Sequence, residues 1–200
     1  VFGQNPGSNH PRMLGELRRA AKRGSRIVVF NPLRERGLER FTDPQSPAEM
    51  LGGGSTAIAS HYFQPKIGGD LAVATGIAKV VVERADRGGD PQSLDAEALD
   101  KSFIADNTHG YDAVADCVRD ADWSDIERES GLTRAQLEQA AQVYLDSNAT
   151  ILCWGMGITQ HRRSVATIQM LTNLLLMRGN IGKPGAGPCP VRGHSNVQGD

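Results

Sequence analysis

The sequence lacks most of the features that place a protein in an easy class. It has no excess of either charge: 22 lysines and arginines face 23 aspartates and glutamates, a formal net charge of -1 at pH 7. Nothing therefore draws it generally to nucleic acid or to an anionic membrane, and an anion it binds must be held by local geometry. No apolar run approaches the ~20 residues that span a bilayer; the longest, around Leu174 to Leu176, is flanked by Asn173 and Arg178. The three cysteines, Cys117, Cys153 and Cys189, are far apart with no C-x-x-C spacing. That excludes a disulfide framework, a closed zinc site and the four thiolates of an iron–sulfur cluster. A cytoplasmic setting suits such usage, and the thiols read as packing or loop residues. Neither an initiator methionine nor a targeting segment precedes Val1-Phe2-Gly3, and the last residues follow a Gly-, Pro- and Asn-rich stretch. The sequence reads as a piece of a longer protein.

What is present is the composition of an ordinary globular domain, with 39% hydrophobic and 22% charged residues over 200 positions. That length suits a single domain with a real core. Val1-Phe2 end in a Gly-Gln-Asn-Pro turn; Met13, Leu14, Leu17, Ala20 and Ala21 then recur at helical spacing until Gly24. Ile27 to Phe30 form a β-branched apolar run of the kind buried on both faces of a parallel sheet. Strand, crossover helix and strand within thirty-odd residues predict an α/β fold, Rossmann-like and doubly wound, with a mostly parallel sheet and helices on both faces.

Residues 33–69 read as an irregular excursion punctuated by Pro44, Pro47 and Gly52-Gly53-Gly54. A helix is expected from Asp70, as its N-cap, through Leu71, Ala74, Ile77, Ala78, Val81 and Val82. Residues 93–148 read as a helical cover in four pieces, Leu94 to Phe103, Tyr111 to Val118, Trp123 to Glu129 and Thr133 to Leu145, with Gly131 as a stop and Thr133-x-x-Gln136 as a capping box. Thr150 to Trp154 is a second buried strand, and Arg163 to Met177 a long helix closed by Gly179.

In an open parallel sheet ligands sit at the carboxyl ends of strands, where glycine admits backbone to a phosphate. Three segments have that form: Gly3 to His10, Gly68-Gly69-Asp70 and Gly155 to Gln160. None is G-x-G-x-x-G or the P-loop lysine motif, which disfavours simple NAD binding and ATP hydrolysis. Each turn alone also reads as a helix entry; three at strand ends point to a nucleotide. The tail 179–200 has the composition of a flexible linker, yet Asn180, Arg192, His194, Asn196 and Gln198 supply amide and guanidinium donors suited to carbonyl-rich rings and phosphates.

Trp154-Gly155-Met156-Gly157-Ile158-Thr159-Gln160, then Leu171-Thr172-Asn173, Arg178 through Gly187 and Pro190-Val191-Arg192-Gly193-His194-Ser195-Asn196-Val197-Gln198-Gly199 resemble the catalytic subunit of molybdopterin-dependent formate dehydrogenases. Gly3-x-Asn5-Pro6 and Ile67-Gly68-Gly69-Asp70 agree in order and spacing, and the resemblance runs over essentially all 200 residues. With Gly37 to Phe41 it is most similar to the formate-dehydrogenase-like branch.

The resemblance implies a molybdenum or tungsten atom held by two molybdopterin guanine dinucleotides, this chain being the middle domain that cradles one of them. The metal ligand and the cysteines of any 4Fe-4S cluster would lie in other domains of the same full-length chain, so metal ligation is expected from none of these residues. By position, Gly3, Gln4, Asn5 and His10 line the first loop; Asn31 and Arg34 face the guanine nucleoside; Gly69, Asp70, Gly155, Met156, Gly157 and Gln160 approach the nucleotide; Gly179 and Asn180 belong to the cofactor-facing tail. Arg192 matches the arginine beside the metal and, with His194, is the catalytic candidate for a small substrate such as formate. The family more often carries aspartate at Asn31 and glutamine at His194.

Two other readings compete: a free-standing NAD(P)- or nucleotide-binding Rossmann-type domain, against which the missing G-x-G-x-x-G and the uncharged Asn31 speak, and a non-catalytic scaffold. His161-Arg162-Arg163 reads as a solvated helix start, His61 and His109 as surface residues, and Trp123 and Trp154 as core.

Overall fold

The computed structural model describes residues 1–88, 98–191 and 193. Its organising feature is a row of short parallel strands. β1 (Val28–Phe30) pairs in parallel with β4 (His61–Phe63), and β5 (Ile151–Trp154) pairs in parallel with β6 (Gly187–Pro190). Phe2 joins the two pairs through parallel bridges to Phe30 on one side and Trp154 on the other. The spatial order is therefore β4, β1, Phe2, β5, β6. An antiparallel pair, β2 (Arg40–Phe41) with β3 (Thr56–Ala57), stands apart.

The last residues of the inner strands form an aromatic row. Phe2 stacks on Phe30 at 4.4 Å between ring centroids and Phe30 on Phe63 at 5.3 Å, and Trp154 is 6% exposed beside Phe2. Buried aromatic pairs add about 0.5–1.5 kcal/mol beyond their area, so this row fixes the register where the strands end.

Both faces of β1 are covered. Val29 lies with Ile27, Leu38 and Ile58 in a small core against Leu17, Ala20 and Ala21 of α2 (Pro11–Lys22). Phe30 faces the larger core, built around α5 (Asp70–Arg87), whose Val73, Ala74, Ala78, Val81 and Val82 are fully buried. Around α5 stand α7 (Tyr111–Asp120), α8 (Trp123–Ser130), α9 (Arg134–Leu145) and α11 (Ser164–Met177). A helix packed on most sides must be apolar nearly all round, which explains the Val-Val-Val run. Its one buried cation, Lys79, donates from Nζ to the carbonyls of Val118 (3.1 Å) and Arg119 at the end of α7, where a helix favours positive charge.

The helical expectations hold closely for α2, α7, α8, α9 and α11, and the Thr133–Gln136 capping box is formed. Gly179 follows α11 at φ 55°, with its N–H on Leu176 and that of Asn180 on Leu175, the paired bonds of a Schellman stop. The expected helix from Leu94 falls partly outside the described residues; within them α6 runs Lys101–Asn107. Asp70 is not an N-cap. Gly69 takes that place: the Gly68-Gly69 turn starts the helix one residue earlier, so that Asp70 is its first residue and its carboxylate accepts from its own N–H.

Residues 33–69 carry α3 (Arg36–Glu39), α4 (Pro47–Gly52), the β2–β3 pair and β4. α4 is tied to α2 by Arg18, which pairs with Glu49 and, at 3.2 Å, with Asp43. The tail also holds a strand. Gly187 donates to Thr150, just before β5, and Val191 to Trp154 at its end, so Pro188 and Pro190 fall at the alternate positions that face away from it, where no donor is needed. Gly15 lies within α2 and an added Cβ there would meet nothing within 4 Å. Gly15→Ala should raise stability by about 0.5–1 kcal/mol, seen as a higher thermal midpoint; a lower one would contradict the position's open surroundings.

Candidate functional site

Because the strands are parallel, their carboxyl ends open on one edge, and the chain leaves that edge five times: at Gly3, Asn31, Gln64, Gly155 and Val191. The first and fourth exits interlock. Gly155 N–H donates to Phe2 and Gly157 N–H to Gly3, each at 3.2 Å. Gly3 has φ 53°, and a Cβ on it would lie 2.8 Å from the Gly157 carbonyl carbon; one on Gly157 would lie 2.5 Å from the Gly3 oxygen. A Cβ on Gly155 would overlap Oε1 of Gln4. Glycine is thus required where the two backbones touch.

Gln4 is 3% exposed beneath this contact. Its Nε2 donates to Asn9 Oδ1 at 2.9 Å and stands 2.9 Å from Nδ1 of His10, which is itself 2.8 Å from Asn9 Oδ1. Asn5 Nδ2 donates to Ser8 Oγ at 3.1 Å and precedes the short turn α1 (Pro6–Asn9). The amide of Gln4 therefore braces the loop that carries Asn5 and His10.

At the next exit Asn31 is 8% exposed, and its Oδ1 accepts the Leu33 N–H at 3.2 Å. Arg34 stays at the surface: its guanidinium lies 5.4 Å from the Tyr62 ring centroid, pairs with Glu39 at 2.5 Å and donates from Nε to Gln64 at 3.4 Å. Tyr62 fixes the same loop by donating to the Leu33 carbonyl (2.7 Å) and accepting from the Glu35 N–H (3.0 Å). Tyr62 and Gln64 were not anticipated from sequence, since the three-residue β4 that carries or leads to them is too short to show a period.

Gly69 and Asp70 follow β4, with Asp70 8% exposed at the head of α5. Burial raises its carboxyl above the ordinary 3.8, opposed by its own N–H and the charge of His161. His161 is half-buried beside Gly68, so it belongs to this edge, while Arg162 and Arg163 are exposed as expected. A raised carboxyl favours the folded chain while protonated; that contribution is complete below the unfolded value near 3.8 and is lost as pH rises through the folded one. Asp70→Asn should therefore melt above the parent at pH 7, with the gap closing below about pH 3.8. Thermal melts at the two pH values check this; a gap independent of pH would contradict it.

Met156 and Gln160 are exposed beyond β5, on and after the single turn α10 (Met156–Thr159). Gly193, past β6, lies against Met156. Arg192 and His194 lie outside the described residues. Gly179 and Asn180 are not brought to this edge: Asn180 is 1% exposed, accepts from Thr150 N–H at 3.2 Å and donates to the Tyr144 hydroxyl at 3.4 Å, all before β5 begins. Among the described residues no group of three or more His, Cys, Asp or Glu could hold a metal, and no helix is long and apolar enough to cross a membrane.

The family model of molybdopterin oxidoreductases matches residues 1–199. The whole chain is 52% identical to protein YdeP of Escherichia coli K12, covering 26% of that protein. It is 30% identical to formate dehydrogenase H of the same organism, again over the whole chain and 24% of the relative. Acetylene hydratase from Pelobacter acetylenicus shares the fold, with a TM-score of 0.65 at 20% identity over 86% of this chain and 20% of that one. The chain thus spans about a quarter of the length of these two curated relatives. On this ground, the chain belongs to the molybdopterin oxidoreductase family.

Proposed function

We propose that the chain is a cofactor-cradling domain, Rossmann-like and doubly wound, of a molybdenum or tungsten oxidoreductase that carries molybdopterin guanine dinucleotide and resembles formate dehydrogenase. The observation that carries this reading is the main-chain contact of Gly3 with Gly157 at the strand tips. It locks the loops that follow Phe2 and β5 together at the strand tips, beside the neutral amides of Asn5 and Gln160, a surface that fits an extended pyrophosphate-bearing ligand better than an apolar one.

In this reading Gly3, Gly155 and Gly157, whose N–H groups are bonded to Phe30, Phe2 and Gly3, shape the tip against which the dinucleotide lies, Asn5 borders it, Gln4 holds the loop of Asn5 and His10 in shape, and Asn31 and Arg34 meet the guanine nucleoside. Asp70, Met156 and Gln160 border the same edge. Arg192 and His194 would orient a small substrate, formate or a related anion. When bound, the cofactor supplies a two-electron redox centre; the domain's own part is binding, orientation and exclusion of water. The remaining domains of the same polypeptide would complete the cage and hold the 4Fe-4S cluster, and the protein would act in the cytoplasm.

The test is elemental and pterin analysis of the full-length protein produced in a host that loads a control molybdoenzyme. Near-stoichiometric molybdenum or tungsten, an oxidised pterin fluorophore and about two GMP released per metal are expected. Intact protein free of metal and pterin would overturn the proposal.

A further inference from the structure

Cys153 and Cys189 are far apart in sequence but stand opposite each other in the parallel register of β5 and β6. Paired residues on neighbouring strands project to the same face, and the strands lie about 4.8 Å apart. That falls within the window of about 4.4–6.8 Å between Cα atoms that a disulfide accepts. Both thiols are free, and the charge of Cys189 acts on Cys153. They differ in access: Cys153 is 9% exposed, whereas Cys189 is half-buried on a strand whose far side carries Pro188 and Pro190. Burial pushes the Cys153 thiol up to about 11, so it rests protonated, and the more exposed Cys189 is the one a solvent oxidant meets first.

We infer that Cys153 and Cys189 are a peroxide-responsive thiol pair that closes reversibly into a disulfide stapling β6 to β5. The Cys189 thiolate attacks hydrogen peroxide: a sulfur–oxygen bond forms, the oxygen–oxygen bond breaks, and the hydroxide released takes up a proton and leaves as water. The Cys153 sulfur then attacks the sulfenic sulfur of Cys189; the disulfide forms, the sulfur–oxygen bond breaks, and a second water carries off the thiol proton. Two thiols give up two electrons and two protons, and one peroxide becomes two waters. A dithiol reductant reverses the bond by exchange. The staple would tie the strand leading to Gly155 to the strand leading to Val191, two of the exits at the candidate site. Cys117, exposed on α7, serves as an internal control.

The experiment is peptide mapping of the full-length protein after brief exposure to a small molar excess of hydrogen peroxide, with alkylation of the remaining thiols. A peptide joined through Cys153 and Cys189 is expected, lighter by two hydrogens, holding most of the reacted Cys189 and returned to free thiols by dithiothreitol. In Cys153→Ala protein, Cys189 should instead pass to the sulfinic acid and resist the reductant. Accumulation of over-oxidised Cys189 in the unsubstituted protein, or retention of both free thiols at a dose that oxidises Cys117, would overturn the inference.

Discussion

Gly157→Ala should cost the full-length protein at least about fivefold in retained pterin and lower its melting midpoint. The added methyl would sit 2.5 Å from the Gly3 oxygen and 2.9 Å from its Cα, so no side chain can swing aside to admit it. The two loops must part, breaking the Gly157-to-Gly3 hydrogen bond and tilting Gln4 and the Asn5 loop it braces. Overpacking of this kind costs about 1–3 kcal/mol, and 1.4 kcal/mol of lost binding is already about tenfold. Pterin and GMP content, measured beside Gly15→Ala protein, read the effect. Full cofactor content with an unchanged melting midpoint would show that the contact has no bearing on the edge.

Leu171→Ala should be strongly destabilising. Leu171 is 0% exposed on α11, in the cluster that joins that helix to α5 and the aromatic row. Removing a buried leucine side chain costs about 2–5 kcal/mol, against a total stability of about 5–15 kcal/mol for a domain. Soluble yield should collapse, and the transition in which this domain melts should move down by several degrees. Val165→Ala, at a position 69% exposed on the same helix, should stay within about 0.5 kcal/mol of the parent. Equal effects at the two positions would mean that α11 does not bury the face described.

Much of the fold was legible because helices announce themselves over many residues. Leu14, Leu17, Ala20 and Ala21, or Leu137, Ala140 and Ala141, recur at a period that only one secondary structure satisfies. Strands of three or four residues carry no such statistics. β1 was visible through its β-branched run, but His61–Phe63 has no period to show, and Gly-Pro-Cys-Pro looks like a turn until the register shows both prolines facing outward.

At the site, the glycines of the first and fourth exits were legible because close backbone approach admits no other residue. The brace from Gln4 to Asn9 and His10 was not, since the amide reaches its partners only after the turn at Pro6 has formed. Asn180 misled for the opposite reason. An amide in a glycine-rich tail suggests a ligand, but here it closes the main chain before β5, a need that exists only once Thr150 lies beside it. The thiol pair was invisible for the same cause, as its members meet only through the parallel register.

The prolines of β6 bear on how the domain behaves among its neighbours. A strand at the rim of a sheet normally offers a ladder of open N–H groups on which a foreign chain can zip. Among the described residues β6 is such a rim, and with Pro188 and Pro190 at the outward positions that ladder loses its donors, so the rim resists growth into an intermolecular sheet while its inner side stays bonded. Exchanging both for valine would restore the template, and turbidity on mild heating would be the first sign.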